Sequence, residues 1–443
     1  MRLLSRPEIR VGVPVTRTDK MRTIMVSATE MAVVNGRAAA AARRRRRSGA
    51  LPRGIAETAY DPLDPAVIAD PYPAYRRLLA DGPVAYNRRR DLYVISHHEA
   101  VREAARADAA LSSAQGITRF RVALPMMITM DRPDHTRLRR TALPAFTRPA
   151  LQGWNPTMER LSAELVGGLR GAPGADAVAR LAVPMPVRMI AHILGVPAEH
   201  QAMFRTWSDA IVEGFELEFG PRLPVQFTRT TRSLLKLSGY LDRQIRSGAL
   251  TRGDGILGRI LAAPGEDRLS GEDLFWFTTL LLVAGNETTT NLLSTMLLTL
   301  ARHPEQYALL RRRPELVPAA IEEQLRYSSP IQGFYRTAVQ DHTVGDATIP
   351  AGSRVLLLFA AANRDPRRFD APDAFDVERD ASGHVAFGSG IHLCLGAHLA
   401  RAEGQAVLRE LVAGTERIEV TGAPVWNTNS ALRGLARLPV ALR

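Results

Sequence analysis

Phe387-Gly388-Ser389-Gly390-Ile391-His392-Leu393-Cys394-Leu395-Gly396 holds the single cysteine of the chain. Its three glycines, Gly388, Gly390 and Gly396, let the backbone turn tightly and approach a partner closely. A helix-compatible run, Gly396 to Leu408, follows at once. Cys394 is therefore expected near a helix N-terminus, where unpaired amides stabilise an anionic sulfur and lower its pKa. One cysteine excludes an intrachain disulfide and any zinc site built from several thiolates. A buried structural cysteine is a common use of such a residue. Nucleophilic use lacks support, because His392 stands two residues away with no evident third group to orient it.

A lone thiolate does suffice as the fifth ligand of a haem iron whose other four ligands come from a porphyrin. That reading explains the solitary Cys394 and its glycine-rich setting together, with Phe387 packing on the ring side of the sulfur. Upstream, the longest periodic element begins at Ser270, with Asp273 in the capping position, and runs to about Arg302, ahead of Pro304. At 1.5 Å per residue it is a rod of roughly 48 Å, apolar on most faces, and belongs inside the fold. Within it, Ala284-Gly285-Asn286-Glu287-Thr288-Thr289 is awkward. Glycine lowers helix propensity, and threonine bonds back to the i−4 carbonyl. Either the segment is a tolerated polar bend, or Gly285 opens room for a ligand while Glu287 and Thr288 form a proton path. Glu323 and Arg326 share a helical face and can pair, which is worth little for an exposed pair. His135 and Arg139 share another. Taken singly they read, like Arg336 and His392, as ordinary surface basicity.

The 443 residues are 46% hydrophobic and 23% charged, an ordinary globular composition that excludes a largely disordered or collagen-like chain. No run of apolar residues is long enough to span a bilayer, and the N-terminus lacks the order of a secretory signal, so a cytosolic protein is the expectation. The formal charge of +13 points first to nucleic acid. Its distribution weakens that reading: residues 1–50 carry +9, leaving +4 for residues 51–443. Of 58 basic residues only Lys20 and Lys236 are lysine, an arginine excess that coding bias explains as well as binding does. Residues 1–56, with Ala38–Ala42 followed by Arg43–Arg47, read as a basic disordered extension or as sequence ahead of a later start at Met21, Met25 or Met31.

From Asp61 the text turns regular. A helix is expected to about Leu79, strands at Val84–Tyr86 and Leu92–Ile95, and a helix opened by a Ser96/Glu99 capping box. Further helices are expected at about 151–169, 187–194, 201–214 and 226–247, with a strand near Val355–Phe359. The chain reads as mainly α with small β-sheets, one large domain over residues 57–443.

Phe-Gly-x-Gly-x-His-x-Cys-x-Gly, filled at every marked position by Phe387 to Gly396, resembles the haem-ligand signature of the cytochrome P450 family. Ala284 to Thr289 resembles the oxygen-activation segment of that family's long helix. Glu323-Gln324-Leu325-Arg326 resembles its Glu-x-x-Arg motif, and Asn363-Arg364-Asp365-Pro366 with Phe375 and Arg379 the meander that follows. The resemblance spans roughly residues 61–443. It implies the cytochrome P450 fold, a long central helix over a thiolate-ligated haem, with haem b (iron protoporphyrin IX) as cofactor and Cys394 as the iron ligand. His135, Arg139, Arg336 and His392 are implied as partners of the propionates, and Ala284, Gly285, Phe387, Gly388 and Gly396 as residues against the ring. Glu287 and Thr288 are implied as the catalytic proton relay, and Glu323 with Arg326 as a structural lock on the meander. Pro144, close behind the His-x-x-x-Arg segment, is expected to end that helix early.

The implied activity is insertion of one oxygen atom of O2 into a small or medium-sized, mostly apolar organic substrate, by hydroxylation or O-dealkylation. Electrons come from NAD(P)H through a ferredoxin and its reductase. The protein is expected to be a monomer that binds no nucleic acid. Arg137, Arg140 and Arg401 are expected to face solvent near the thiolate side, where an acidic electron-transfer protein docks. Leu281, Val283, Met126, Met127 and Ile128 are candidate pocket walls. Residues 330–337 and 382–386 are similar to a subgroup that oxidises para-substituted aromatic acids. The arginines expected to hold a carboxylate are absent, the corresponding regions offering Ser112, Ser113, Ala114, Thr279 and Leu280. A haem protein used only for binding or dehydration is the alternative, opposed by Glu287 and Thr288. A basic nucleic-acid module is opposed by the nearly balanced charge beyond the N-terminal segment. No phosphate-cradling glycine loop supports a nicotinamide enzyme, and no Cys–His–acid set supports a thiol enzyme.

Overall fold

The computed structural model describes residues 33–36, 40, 51, 54–122, 124–215, 223–247, 255–262 and 269–443. Most of the expected N-terminal extension lies outside the described residues. Within it, Asn35 and Arg121 exchange two side chain–backbone hydrogen bonds, each 3.0 Å.

The principal helices in chain order are α1 (Tyr72–Asp81), α2 (His98–Arg106), α3 (Asp134–Ala142), α4 (Asn155–Arg170) and α5 (Pro184–Ile193). They continue with α6 (Gln201–Phe215), α7 (Leu223–Arg246), α8 (Gly271–Arg302), α9 (Val317–Tyr327) and α10 (Ala397–Gly414). The main sheet is built from β1 (Ala56–Glu57), β2 (Val84–Asn87), β3 (Leu92–Ile95), β4 (Leu111–Ser112), β5 (Phe334–Ala338) and β6 (Arg354–Leu357). Its spatial order is β1-β2-β3-β6-β5-β4, parallel at β1–β2 and β3–β6 and antiparallel elsewhere. The remaining strands form one three-stranded and two two-stranded sheets. The architecture is mainly helical with small sheets, as the sequence predicts.

Side chains alternate across a strand, and both faces of this sheet are covered. Tyr93, Ile95, Val355 and Leu357 enter one buried cluster, while Leu92, Val94, Leu356 and Leu358 enter another. The largest cluster surrounds α8, which packs on α5, α6, α7, α9 and α10. Its 32 residues follow the predicted start: Ser270 accepts from the Asp273 amide, and the Asp273 carboxylate accepts from the Ser270 amide, both at 3.0 Å. Leu293 and Leu297 are fully buried in its C-terminal half. At about 25 cal/mol per Å2 of apolar surface removed from water, such side chains hold the helix as the molecule's axis.

Local signals elsewhere are overridden. Ser96 does not cap α2; His97 precedes the helix without a side-chain cap, and the His98 amide donates instead to Asp365, 267 residues away, at 2.9 Å. The helix expected over 151–169 is two helices, Arg148–Gln152 and α4, separated at Gly153 and Trp154. α5 starts three residues earlier than expected because Pro184 and Pro186 fall in its first turn, where a missing amide costs nothing. α3 does end at Ala142, and Leu143–Phe146, with Pro144, continues as a tighter turn.

Candidate active site

The cysteine loop is shaped by two of its three glycines. Gly388 and Gly390 have φ of +73° and +71°, a left-handed region that favours glycine. A Cβ on Gly390 would lie 2.4 Å from the Ala105 carbonyl oxygen, so the loop is pressed against the end of α2. Arg106 Nε donates to Ser389 Oγ at 3.2 Å across the same contact. Gly396 differs: its φ is −86° and it caps α10. The Cys394 amide donates to the Phe387 carbonyl at 2.9 Å, closing the loop on itself.

The surface that Cys394 exposes is turned to a cavity of about 1440 Å3. Burial pushes the thiol up from its ordinary value, against the Gly396 backbone, Arg139 and Arg401, which act to lower it. The expected net lowering by helix amides is thus not found. α10 begins at Ala397, beyond the cysteine, and its amides do not outweigh desolvation. Beneath the loop, Arg401 stacks its guanidinium 4.5 Å over the Phe387 ring and donates to Glu322 at 2.6 and 2.8 Å. His384 bonds the same carboxylate at 3.1 Å. Burial opposes ionisation of Glu322, but these partners hold it down to about 2.

All the sequence-predicted catalytic and cofactor-binding residues line this one cavity; Glu323 and Arg326 do not. Along one edge the cavity is rich in donors and poor in acceptors. The His135 and His392 rings meet edge to face at 4.5 Å. Both ring nitrogens of His135 and Nε2 of His392 are buried without a hydrogen-bond partner. Desolvation, then Arg139, draws His135 down to about 4, and desolvation, then Arg336, draws His392 down to about 2. Arg336 is itself buried, donates to the Tyr335 carbonyl at 2.9 Å and is pushed down to about 10 by desolvation. Buried unpaired donors beside two guanidinium groups are costly unless an anion joins them. A ring carrying two carboxylates fits this edge, and a single axial thiolate fits the chemistry of its iron. Among the described residues, no group of three or more His, Cys, Asp or Glu stands ready to hold a bare metal ion.

Helix α8 supplies the facing wall. Thr288 Oγ1 donates to the Ala284 carbonyl at 2.7 Å, the i−4 bond expected of a threonine inside a helix. The helix stays continuous through this segment. A Cβ on Gly285 would stand 3.6 Å from Ile190 Cδ1, an ordinary contact, so the packing of α5 does not itself demand glycine here. Glu287 and Thr289 also line the space, with Leu281, Val283, Met126, Met127 and Ile128 as its apolar walls.

On α9, Glu323 and Arg326 form a fully buried pair at 2.7 and 2.8 Å. Arg326 also donates to the carbonyls of Asn363, Pro372 and Ala374, and Glu323 accepts from the Asp376 amide and Arg379. This hub ties α9 to the segment that leads into the cysteine loop.

Several expectations fail on the structure. Arg137 is not a free solvent cation; it forks onto Asp273 at 3.1 and 3.2 Å, joining α3 to the start of α8. Arg401 is held by Glu322, and only Arg140 of the three stays exposed. Ser112, Ser113, Ala114 and Thr279 lie off the cavity: Ser112 and Ser113 bond Asp131, and Thr279 bonds the Phe275 carbonyl. The sequence reading missed Arg119, Leu63, the cavity-facing residues of α7 and the loop at Thr428 to Leu432, all of which line the cavity. It also missed Glu403, a fully buried carboxyl on α10 whose Oε2 has no hydrogen-bond partner and which burial pushes up to about 8. No local pattern marks these residues, because distant segments bring them together.

Comparison with known proteins places this geometry. Residues 243–414 match the family model of cytochrome P450. The chain is 47% identical over 385 residues to the beta-dihydromenaquinone-9 omega-hydroxylase of Mycobacterium tuberculosis, covering 87% of this chain and 78% of that one. It is 36% identical over 392 residues to the cytochrome P450 monooxygenase PikC of Streptomyces venezuelae, covering 85% and 92%. Among solved structures, CYP109E1 from Bacillus megaterium in complex with corticosterone superposes with a TM-score of 0.78 at 32% identity, covering 85% and 99%. Fold, cysteine loop and relatives agree, and the chain belongs to the cytochrome P450 family.

Proposed function

We propose that the protein is a haem b monooxygenase that hydroxylates a mostly apolar molecule of medium to large size, with Cys394 as the residue that would hold the haem iron. The observation that carries the reading is the placement of Cys394 in a cavity whose edge holds the unpartnered donors of His135 and His392 and whose facing wall holds Glu287 and Thr288. When bound, the haem supplies an iron that activates dioxygen, and a thiolate ligand favours O–O cleavage. Cys394 would hold the group's iron, and Phe387, Gly388, Gly396, Ala284 and Gly285, which line the same cavity, would contact its ring. His135, Arg139, Arg336 and His392 would donate hydrogen bonds to its carboxylates, which would offset their own desolvation. Glu287 exchanges protons with solvent, and Thr288, whose Oγ1 hydrogen is donated to the Ala284 carbonyl, offers its oxygen as an acceptor on the cavity side and releases that hydrogen by rotating, a relay rather than a base acting on substrate.

The cavity exceeds the roughly 300–1,000 Å3 typical of a single-ligand site, which leaves room for a substrate beside a porphyrin. Its walls are mainly apolar, and the Mycobacterium relative is named for hydroxylation at an omega position. Both observations favour an extended apolar substrate over a small aromatic acid. We assign the electron supply to NAD(P)H through a ferredoxin and its reductase, as the family resemblance implies. The test is optical. Titration of the haem-loaded protein with long-chain quinols and terpenoids is expected to shift the Soret band, with 4-methoxybenzoate giving no shift. The reverse order would contradict the substrate class.

A further inference from the structure

Helix α7 has two faces of opposite character. Gln226, Thr230, Thr231 and Leu234 line the cavity. Arg229, Arg232, Lys236, Arg243 and Arg246 are exposed. At 3.6 residues per turn these five fall within an arc of roughly 100° opposite the cavity face, along roughly 26 Å of helix. Val225, 71% exposed, begins the same stripe. Against five cations the helix carries one acid, Asp242, a net +4 equal to that of the whole of residues 51–443. The rest of residues 51–443 is therefore neutral in sum. Some exposed arginines on other elements find carboxylates, as Arg160 and Arg188 do with Glu164, and Arg417 and Arg443 with Glu419, while others, such as Arg77, Arg148 and Arg180, stand singly and form no comparable row. Arg232, Lys236, Arg243 and Arg246 make no ion pair among the described residues.

A row of like charges repels itself and contributes nothing to folding, so its use is external. Among the described exposed positions of the row there is no aromatic side chain, which argues against base stacking and against an aromatic-anchored protein interface. We infer that the outer face of α7 docks the protein onto an anionic lipid surface, so that the cavity behind the helix draws its apolar substrate from the bilayer. Docking needs only the charge row; the supply of substrate rests on the monooxygenase reading above. Each cation close to an anionic leaflet strengthens adsorption about fivefold, and the attraction is screened by salt.

The test is cosedimentation of the full-length holoprotein with vesicles of phosphatidylcholine, alone or mixed with phosphatidylglycerol. Binding is expected only to the mixed vesicles, weakening as salt rises. The combined Arg232→Gln, Lys236→Gln, Arg243→Gln and Arg246→Gln variant is expected to lose at least about 30-fold in partitioning, equivalent to two of the four charges acting at full strength. Its melting temperature and its spectrum with carbon monoxide are expected to match wild type, which separates failure of docking from failure of the haem reading. Glutamine at all of Arg43 to Arg47 is expected to leave most of the binding in place. Three results would overturn the inference. These are wild-type binding by the α7 variant, loss that follows Arg43 to Arg47 instead, and indifference of wild type to anionic vesicles, including the case where α7 captures an acidic carrier protein.

Discussion

Arg326 spends its donors on Glu323 and three main-chain carbonyls without meeting solvent. Replacing it with leucine leaves the buried Glu323 carboxylate with only Arg379 and the Asp376 amide and removes a donor from three main-chain carbonyls, so Arg326→Leu is expected to cost about 3–5 kcal/mol in urea unfolding. A midpoint equal to wild type would contradict the hub. The three-residue spacing of this pair was legible in the sequence, but its burial was not, because an exposed helical pair has the same spacing. Glu403 was not legible at all, since an acid two residues after Arg401 reads as surface. Its carboxyl, ordinarily near 4.5, is raised to about 8 by burial. Across that window the unfolded chain has released a proton that the folded chain still holds. Stability therefore falls as pH rises from about 4.5 to 8, by up to a few kcal/mol, and levels above. Glu403→Gln is expected to remove this fall from a plot of melting temperature against pH, and a parallel curve would count against it. Thr288→Ala is expected to lower product formed per NAD(P)H consumed while substrate binding persists. An unchanged ratio would remove Thr288 from the proton path.

Among the elements, the cysteine loop and α8 were the most readable. The loop could be read because its glycines are a conformational requirement. Gly390→Ala must hold alanine at positive φ against the Ala105 carbonyl, and is expected to cost at least about 2 kcal/mol and to impair haem retention. Full haem content with unchanged melting would show that the loop does not need that approach. The start of α8 could be read because Ser270 and Asp273 satisfy each other locally. Ser270→Ala is expected to cost about 0.5–2 kcal/mol, measured by chemical denaturation. The Ser96/Glu99 pattern has the same form yet fails, because Asp365 from the far side of the chain takes the first amide of α2. A capping signal states what a helix end needs and leaves open which residue meets it.

At the scale of the whole molecule, the sheet's two buried faces and the cluster around α8 hold the cavity between elements far apart in sequence. That arrangement explains why the apolar walls at Leu281 and Met126 were foreseen while Arg119, the inner face of α7 and the loop after Trp426 were not. The first group belongs to strongly patterned segments, and the second is gathered by tertiary folding. The same arrangement leaves the donors of His135 and His392 unpaired, so occupancy by a carboxylate-bearing macrocycle is expected to stabilise the fold by mass action and raise the melting temperature of haem-depleted protein. The most direct measurement is the absorbance spectrum of the reduced protein under carbon monoxide, taken for wild type and for Cys394→Ser. A strongly red-shifted Soret band in wild type, lost in the variant, is the predicted result. An unshifted band in folded, haem-loaded wild type, or the same band in both proteins, would contradict thiolate ligation at position 394.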